Sequence, residues 1–201
     1  MRLFVAVELP DPVRAALTEL VAGLVAGQVA EPAADGLTAL PPRLPPRLRL
    51  AAPERMHLTL AFLGEVAEPR LPGLRERLGR SAGRHAPMRL RLSGGGRFGG
   101  SVLWVGVDGD VERLRHLAGS VAGAARHSGL AVEDRPYRPH VTLARARPPA
   151  DLRRLAALLE GYEGPGWTAS EIVLVRSRTG PSPEHIPVAR WPLTGGPPAS
   201  G

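Results

Sequence analysis

Two short stretches constrain this chain more than anything else in it: His57-Leu58-Thr59-Leu60-Ala61 and His140-Val141-Thr142-Leu143-Ala144. Each lies in a run that alternates as a β-strand does. His57, Thr59 and Ala61 are expected on one face, with Leu58, Leu60 and Phe62 on the other. In the second run His140, Thr142 and Ala144 share a face, and Val141 and Leu143 lie behind it. A strand of this kind buries its apolar side and presents an imidazole and a hydroxyl on the opposite side. With only 6 His in 201 residues, His-x-Thr should occur about 0.2 times by chance, and twice in about 2% of shuffled sequences. Two copies in strand patterns, each followed by Leu-Ala, therefore set the frame for the remaining elements.

Those elements fall into a repeated order. Leu3 to Leu9 alternates as a strand. A helix opens at Pro10-Asp11-Pro12 and carries Val13, Ala16, Leu17, Leu20, Val21 and Leu24 at helical spacing. The His57 strand runs to Gly64, a helix is expected over 69–84, and a strand over 88–92. Gly94-Gly95-Gly96 reads as a flexible turn. The second half follows with a strand over 102–107, a helix over 111–127, the His140 strand, a helix over 150–162 and a strand over 172–175. His57 precedes Leu90 by 33 residues, and His140 precedes Val173 by 33. Two β-α-β-α-β halves are expected. The first is lengthened by a Pro-rich insertion over about 28–50, which reads as an irregular connection. A last short strand is expected over 188–193 and a frayed tail over 195–201. The chain thus reads as one domain over 1–194.

Composition narrows the function classes. The chain carries 26 basic and 19 acidic residues, a net charge of +7, which favours a polyanionic partner, nucleic acid first. No cysteine is present, so disulfide, thiolate and Cys-based metal chemistry are excluded. The His spacing gives no His-Glu-x-x-His and no tight His/Asp cluster, and neither metal nor cofactor is expected. The first residues are too short an apolar run for a signal peptide, and no run approaches a membrane span. A cytoplasmic monomer is the expectation.

Two imidazoles and two hydroxyls across a cleft suit one reaction. Opening a cyclic phosphodiester needs a base to take a proton from water and an acid to protonate the departing oxygen, in line across phosphorus. Histidine, with a reference pKa of about 6.5, serves either role near neutrality. Threonine hydroxyls can donate to the non-bridging oxygens.

The two motifs, with Arg2-Leu3-Phe4-Val5-Ala6-Val7-Glu8-Leu9-Pro10, Leu58 to Glu65 and Pro139 to Arg145, resemble the two-histidine (2H) phosphoesterases. They are similar in particular to the bacterial and archaeal RNA 2′,3′-cyclic phosphodiesterases, long called 2′-5′ RNA ligases. That resemblance implies an α+β fold of two pseudo-symmetric lobes around a central cleft, each with a mainly antiparallel sheet and helices on its outer face. It implies metal-independent opening of RNA 2′,3′-cyclic phosphate ends to 2′-phosphates, with His57 as proton donor and His140 as acceptor. Thr59 and Thr142 would bind the phosphate. The insertion, and the lack of an aromatic residue in 48–53, depart from the family pattern beside one wall of the cleft.

Further candidates are weaker. Arg138 falls on the His140 face by alternation, and Arg145 on the opposite face unless the strand bulges; either can bind phosphate. Phe98 and Trp104 can stack on a base, with core burial the better expectation for Trp104. His85, His116, His127 and His185 read as surface or helix-end residues. Two competitors stand beside the leading reading: a phosphodiesterase for small nucleotide-derived cyclic phosphates, and a non-catalytic module that recognises an RNA end. Ligation through a 2′-5′ bond is the chemical reverse and is expected only as a side activity.

Overall fold

The computed structural model describes residues 1–27, 44–178, 180 and 183–195. Nine strands form one curled sheet in the order β7-β4-β5-β6-β3-β1-β8-β9, with β2 added against β6. In chain order these are β1 (Arg2–Glu8), β2 (Leu48–Leu50), β3 (His57–Glu65), β4 (Met88–Phe98), β5 (Val102–Gly109), β6 (His140–Ala146), β7 (Glu163–Ala169), β8 (Glu171–Arg178) and β9 (Glu184–Pro192). Four α-helices among the described residues accompany them: α1 (Asp11–Ala26), α2 (Leu71–Ala82), α3 (Val111–His127) and α4 (Arg153–Ala157). All the strand pairings are antiparallel.

The expected repeat is present with a twist in its wiring. β1, β3 and β4 correspond in order to β5, β6 and β8. Yet β4 pairs with β5, and β8 with β1. The last strand of each repeat therefore joins the other half of the sheet. The halves meet at β3 and β6 through one register pair, Leu58 opposite Val141.

One face of the sheet packs against the helices. Leu58, Leu60, Val141 and Leu143 join Leu17 of α1, Leu74 and Leu78 of α2, and Leu114, Leu117 and Val121 of α3 in the main core. Helical spacing puts those leucines on one stripe of each helix. α1 ends where Gly27, at φ 68°, turns its N–H back to the carbonyls of Gly23 and Leu24, a conformation glycine adopts without steric cost. The opposite face of the sheet carries a small second cluster, Phe4, Ala6, Val173 and Val175.

Several expectations need correction. Residues 48–50 of the supposed irregular connection form β2, and 44–47 lead into it through a turn in which Leu48 N–H bonds the Pro45 carbonyl at 2.9 Å; the remainder of that insertion, 28–43, lies outside the described residues. Gly94-Gly95-Gly96 is no turn but the middle of β4, bulged against β5. A side chain at Gly95 would lie 2.4 Å from Leu159 Cβ, and one at Gly96 would lie 2.7 Å from the Trp104 ring. Gly95 and Gly96 permit close approach rather than chain reversal, while Gly94, at φ 60°, holds a conformation that favours glycine at the bulge. The helix expected over 150–162 is only α4. Beyond it Leu159, Glu160 and Tyr162 bond three residues back, in tight turns that leave Leu159 against Gly95. β7 went unseen because Gly164, Pro165 and Gly166 mask it. It is an edge strand, where a proline without an N–H is tolerated. Gly195 belongs to the fold, its N–H bonded to the His85 carbonyl at 3.0 Å; the remainder of the expected tail, 196–201, lies outside the described residues.

Candidate active site

β3 and β6 are buried in the same pattern over their first seven residues: half-buried His and Thr, buried residues at the second, fourth, fifth and seventh positions, and an exposed sixth. A bulge explains the break in alternation. Val5 and Ala6 of β1 face Ala61 and Thr59, leaving Leu60 extra. Leu103 and Trp104 of β5 face Ala144 and Thr142, leaving Leu143 extra. The extra residue turns the sixth position onto the histidine face. Phe62 is therefore not a core residue: it is 53% exposed, with its ring 6.1 Å from Phe4. Ala61 and Ala144 are buried instead. Arg145 occupies the equivalent position in β6, close enough to both His57 and His140 to oppose their protonation.

The Leu58–Val141 pair sets the register of the site. One residue either way, His57 lies across from Thr142, and Thr59 across from His140. The two histidines are then diagonal neighbours, for which antiparallel geometry gives a spacing of roughly 7–8 Å between backbone positions, within reach of long side chains on one face. Neither threonine hydroxyl has a partner among the described residues.

The two imidazoles are held alike. His57 Nδ1 bonds the Arg55 carbonyl at 2.7 Å, and His140 Nδ1 bonds the Arg138 carbonyl at 2.7 Å. A carbonyl only accepts, so Nδ1 carries the hydrogen in both rings. In the neutral form each Nε2 is a free lone pair, and in the charged form each is a donor. Burial disfavours the charged form most. Together with smaller contributions from His185, Arg145 and Arg55, and against the opposing bond from Nδ1, it takes His57 from 6.5 to about 4. His140 is also lowered, by burial first and then by Arg145. Both rings are neutral at pH 7.

Their neighbours differ. Phe4 stacks on His57 at 4.6 Å, and His185 of β9 meets both rings edge-on at 5.0 Å. His185 is thus part of the site and not an isolated surface residue; no local motif in the sequence announces it, since β9 reaches His57 only through the sheet order. Phe98 packs edge-on to His140 at 4.8 Å, and Trp104 lies 5.3 Å from Phe98 and 6.2 Å from His140. Trp104 is consequently half-buried on the histidine face rather than in the main core. Arg138 offers its carbonyl to His140, while its residue is exposed. Tyr137, which sequence reasoning passed over, donates its hydroxyl to the Thr59 carbonyl at 3.0 Å and so braces β3 from the segment before β6. His85 bonds Ser120, and His127 bonds the Gly123 carbonyl at the end of α3; neither is part of the site. Among the described residues no group of three or more His, Cys, Asp or Glu could hold a metal ion. No helix there is long and apolar enough to cross a membrane.

Known proteins resemble this chain in sequence and fold. The RNA 2′,3′-cyclic phosphodiesterase of Thermus thermophilus is 34% identical over 97% of this chain and 91% of its own length. The Escherichia coli protein of the same name is 30% identical over 96% of this chain and 97% of its own. The crystal structure of Escherichia coli LigT complexed with 3′-AMP superposes with a TM-score of 0.71 at 26% identity, covering 96% of this chain and 97% of that one. A family model, that of the 2′-5′ RNA ligase superfamily, matches residues 45–181. With its paired histidine strands and this likeness over nearly its whole length, the chain belongs to the 2′-5′ RNA ligase superfamily of two-histidine phosphoesterases.

Proposed function

We propose that the protein is a hydrolase that opens the 2′,3′-cyclic phosphate at the end of an RNA chain, leaving a 2′-phosphomonoester. The observation that carries this reading is the matched pair of imidazoles, each with Nδ1 committed to a carbonyl and Nε2 open. His140 Nε2 takes a proton from water as its oxygen attacks phosphorus. The bond from phosphorus to the 3′ oxygen breaks on the opposite side, and His57 Nε2–H protonates that oxygen. Each step of proton transfer of this kind contributes about 10²–10⁴ in rate. Thr59, Thr142 and Arg145 hold the non-bridging oxygens as charge builds on them. Phe98, with Trp104 beside it, offers an aromatic surface for the terminal base, and Arg138 stands at the rim for a further phosphate contact.

The donor role asks His57 to hold a second proton that burial disfavours. The negative charge of a bound phosphate acts in the other direction and raises the affinity of His57 for that proton. In the free protein the productive form, His57 charged and His140 neutral, is most abundant on the acid side of 6.5. The likeness to enzymes named RNA 2′,3′-cyclic phosphodiesterase supports the choice of RNA as substrate. The test is to offer an RNA oligomer with a 2′,3′-cyclic end in the presence of EDTA and to identify the product by phosphorus NMR. A 2′-phosphomonoester is expected; a 3′-phosphomonoester, or no turnover, would overturn the reading.

A further inference from the structure

The chain contains no lysine, so all 26 of its basic residues are arginines. Many are paired: Arg91 with Asp108, Arg113 with Asp110, Arg153 with Asp151, and Arg190 with both Glu8 and Glu171. Four at the edge of the site are not. Arg49 of β2 stands directly opposite Arg145 of β6, and residues opposite one another in an antiparallel pair share a face, where like charges are destabilising. Arg147 and Arg55 act on Arg145 as well, and Arg55 reaches His57 and His185. None of the four side chains has a hydrogen-bond or carboxylate partner among the described residues. The Nε of Arg55 is buried with no acceptor, although a buried donor without a partner is costly and rare.

Folding alone gives no reason to crowd four unpaired guanidinium groups together. An anion that enters the crowd removes the mutual repulsion and supplies the missing acceptors. A cyclic phosphodiester brings a single negative charge, which Arg145 by itself balances. Three positive charges remain beside it.

We propose that Arg49, Arg55 and Arg147 form a subsite for a second phosphate of the substrate, the one on the 5′ side of the terminal nucleotide. This rests on the cyclic phosphodiesterase reading and sharpens it: the preferred substrate carries a phosphate on both sides of its last nucleoside. Guanidinium forks suit this task because they bind phosphate oxygens in pairs. An internucleotide diester and a 5′-phosphomonoester present the same oxygens, so either source fits.

Three substrates separate the outcomes: adenosine 2′,3′-cyclic phosphate, the same compound with a 5′-phosphate, and the adenylyl dinucleotide with a 2′,3′-cyclic end. The wild-type protein should show kcat/KM about tenfold or more higher for the second and third than for the first, the size of one charge-assisted hydrogen bond. Arg55→Gln should bring both ratios toward one, chiefly through KM; its effect on His57 protonation is common to all three substrates and cancels in the ratios, and circular dichroism checks the fold. Arg49→Gln, at an exposed position, repeats the test without disturbing a buried group. Equal kcat/KM for all three substrates in the wild type would overturn the subsite. So would a gain seen with the dinucleotide alone, which would assign it to the extra nucleoside, or variants that slow all three in proportion. If the wild type turns over none of them, it is the underlying phosphodiesterase reading that fails.

Discussion

β3 and β6 repeat one another in sequence, burial, bulge and the bond each histidine makes from Nδ1. What surrounds them does not repeat. His57 lies against Phe4 and a third imidazole, His185, and Phe4 itself belongs to an apolar cluster with Val173 and Val175. His140 lies against Phe98 and Trp104. The sixth position is Phe62 in one strand and Arg145 in the other. The lesson is a division of labour between backbone and environment. The repeated strand places two equivalent imidazoles, and the neighbours make them unequal in their hold on a proton.

The largest effect should come from breaking the equivalence outright. His57→Ala or His140→Ala should each lower kcat on cyclic-ended RNA by about 10²–10⁴ with little change in binding, measured by single-turnover kinetics beside a binding titration. The sixth positions come next. Arg145→Ala should cost roughly a hundredfold in kcat/KM, the scale of one lost transition-state donor. Phe62→Ala should cost under about tenfold, since Phe62 offers no charge to phosphate. Equal losses would mean that the two sites differ less than their side chains do. Tyr137 braces only one side: the corresponding position before β3 is Glu54, which is exposed. Tyr137→Phe should lower stability by about 1 kcal/mol in denaturant titration and leave the pH profile in place.

The smallest effect tests the third imidazole. kcat/KM reports the free protein and should be bell-shaped with its optimum below pH 6.5, because burial, His185, Arg145 and Arg55 all disfavour a charged His57. The basic limb of kcat should lie at higher pH, because bound phosphate favours that charge. His185→Phe keeps a ring against Phe4 and removes a titratable group whose charge, itself disfavoured by burial and Arg55, opposes protonation of His57. It should move the basic limb of kcat/KM upward by less than about one pH unit. An unmoved limb would reduce His185 to packing.

Much of this was legible in the lettering because strands and histidines announce themselves locally. The alternation around His57 and His140, and the equal spacing to Leu90 and Val173, anticipated the repeat and the shared face. What escaped was set by distance or by backbone irregularity. A bulge at Leu60 or Leu143 leaves no mark in the residue pattern, so alternation alone puts Phe62 with the core and leaves the face of Arg145 open. His185 enters the site through β9, two strands beyond β1, which no local motif encodes. The three glycines of β4 resemble a turn in sequence, yet only Gly94, at φ 60°, uses glycine's conformational freedom; at Gly95 and Gly96 the absent side chain makes room for Leu159 and Trp104. β7, rich in glycine and holding a proline, lacks the composition of a strand and forms at the sheet edge against β4.

The most direct test of joint action is the pair of histidines removed together. Turnover of RNA with a 2′,3′-cyclic end should be measured for His57→Ala, His140→Ala and the double variant, with far-ultraviolet circular dichroism as the check on folding. Groups that act as one unit on one phosphorus lose nearly everything with the first removal, so the double variant should be about as slow as the slower single one. Losses that multiply, or a single variant that keeps near-wild-type turnover, would contradict the account.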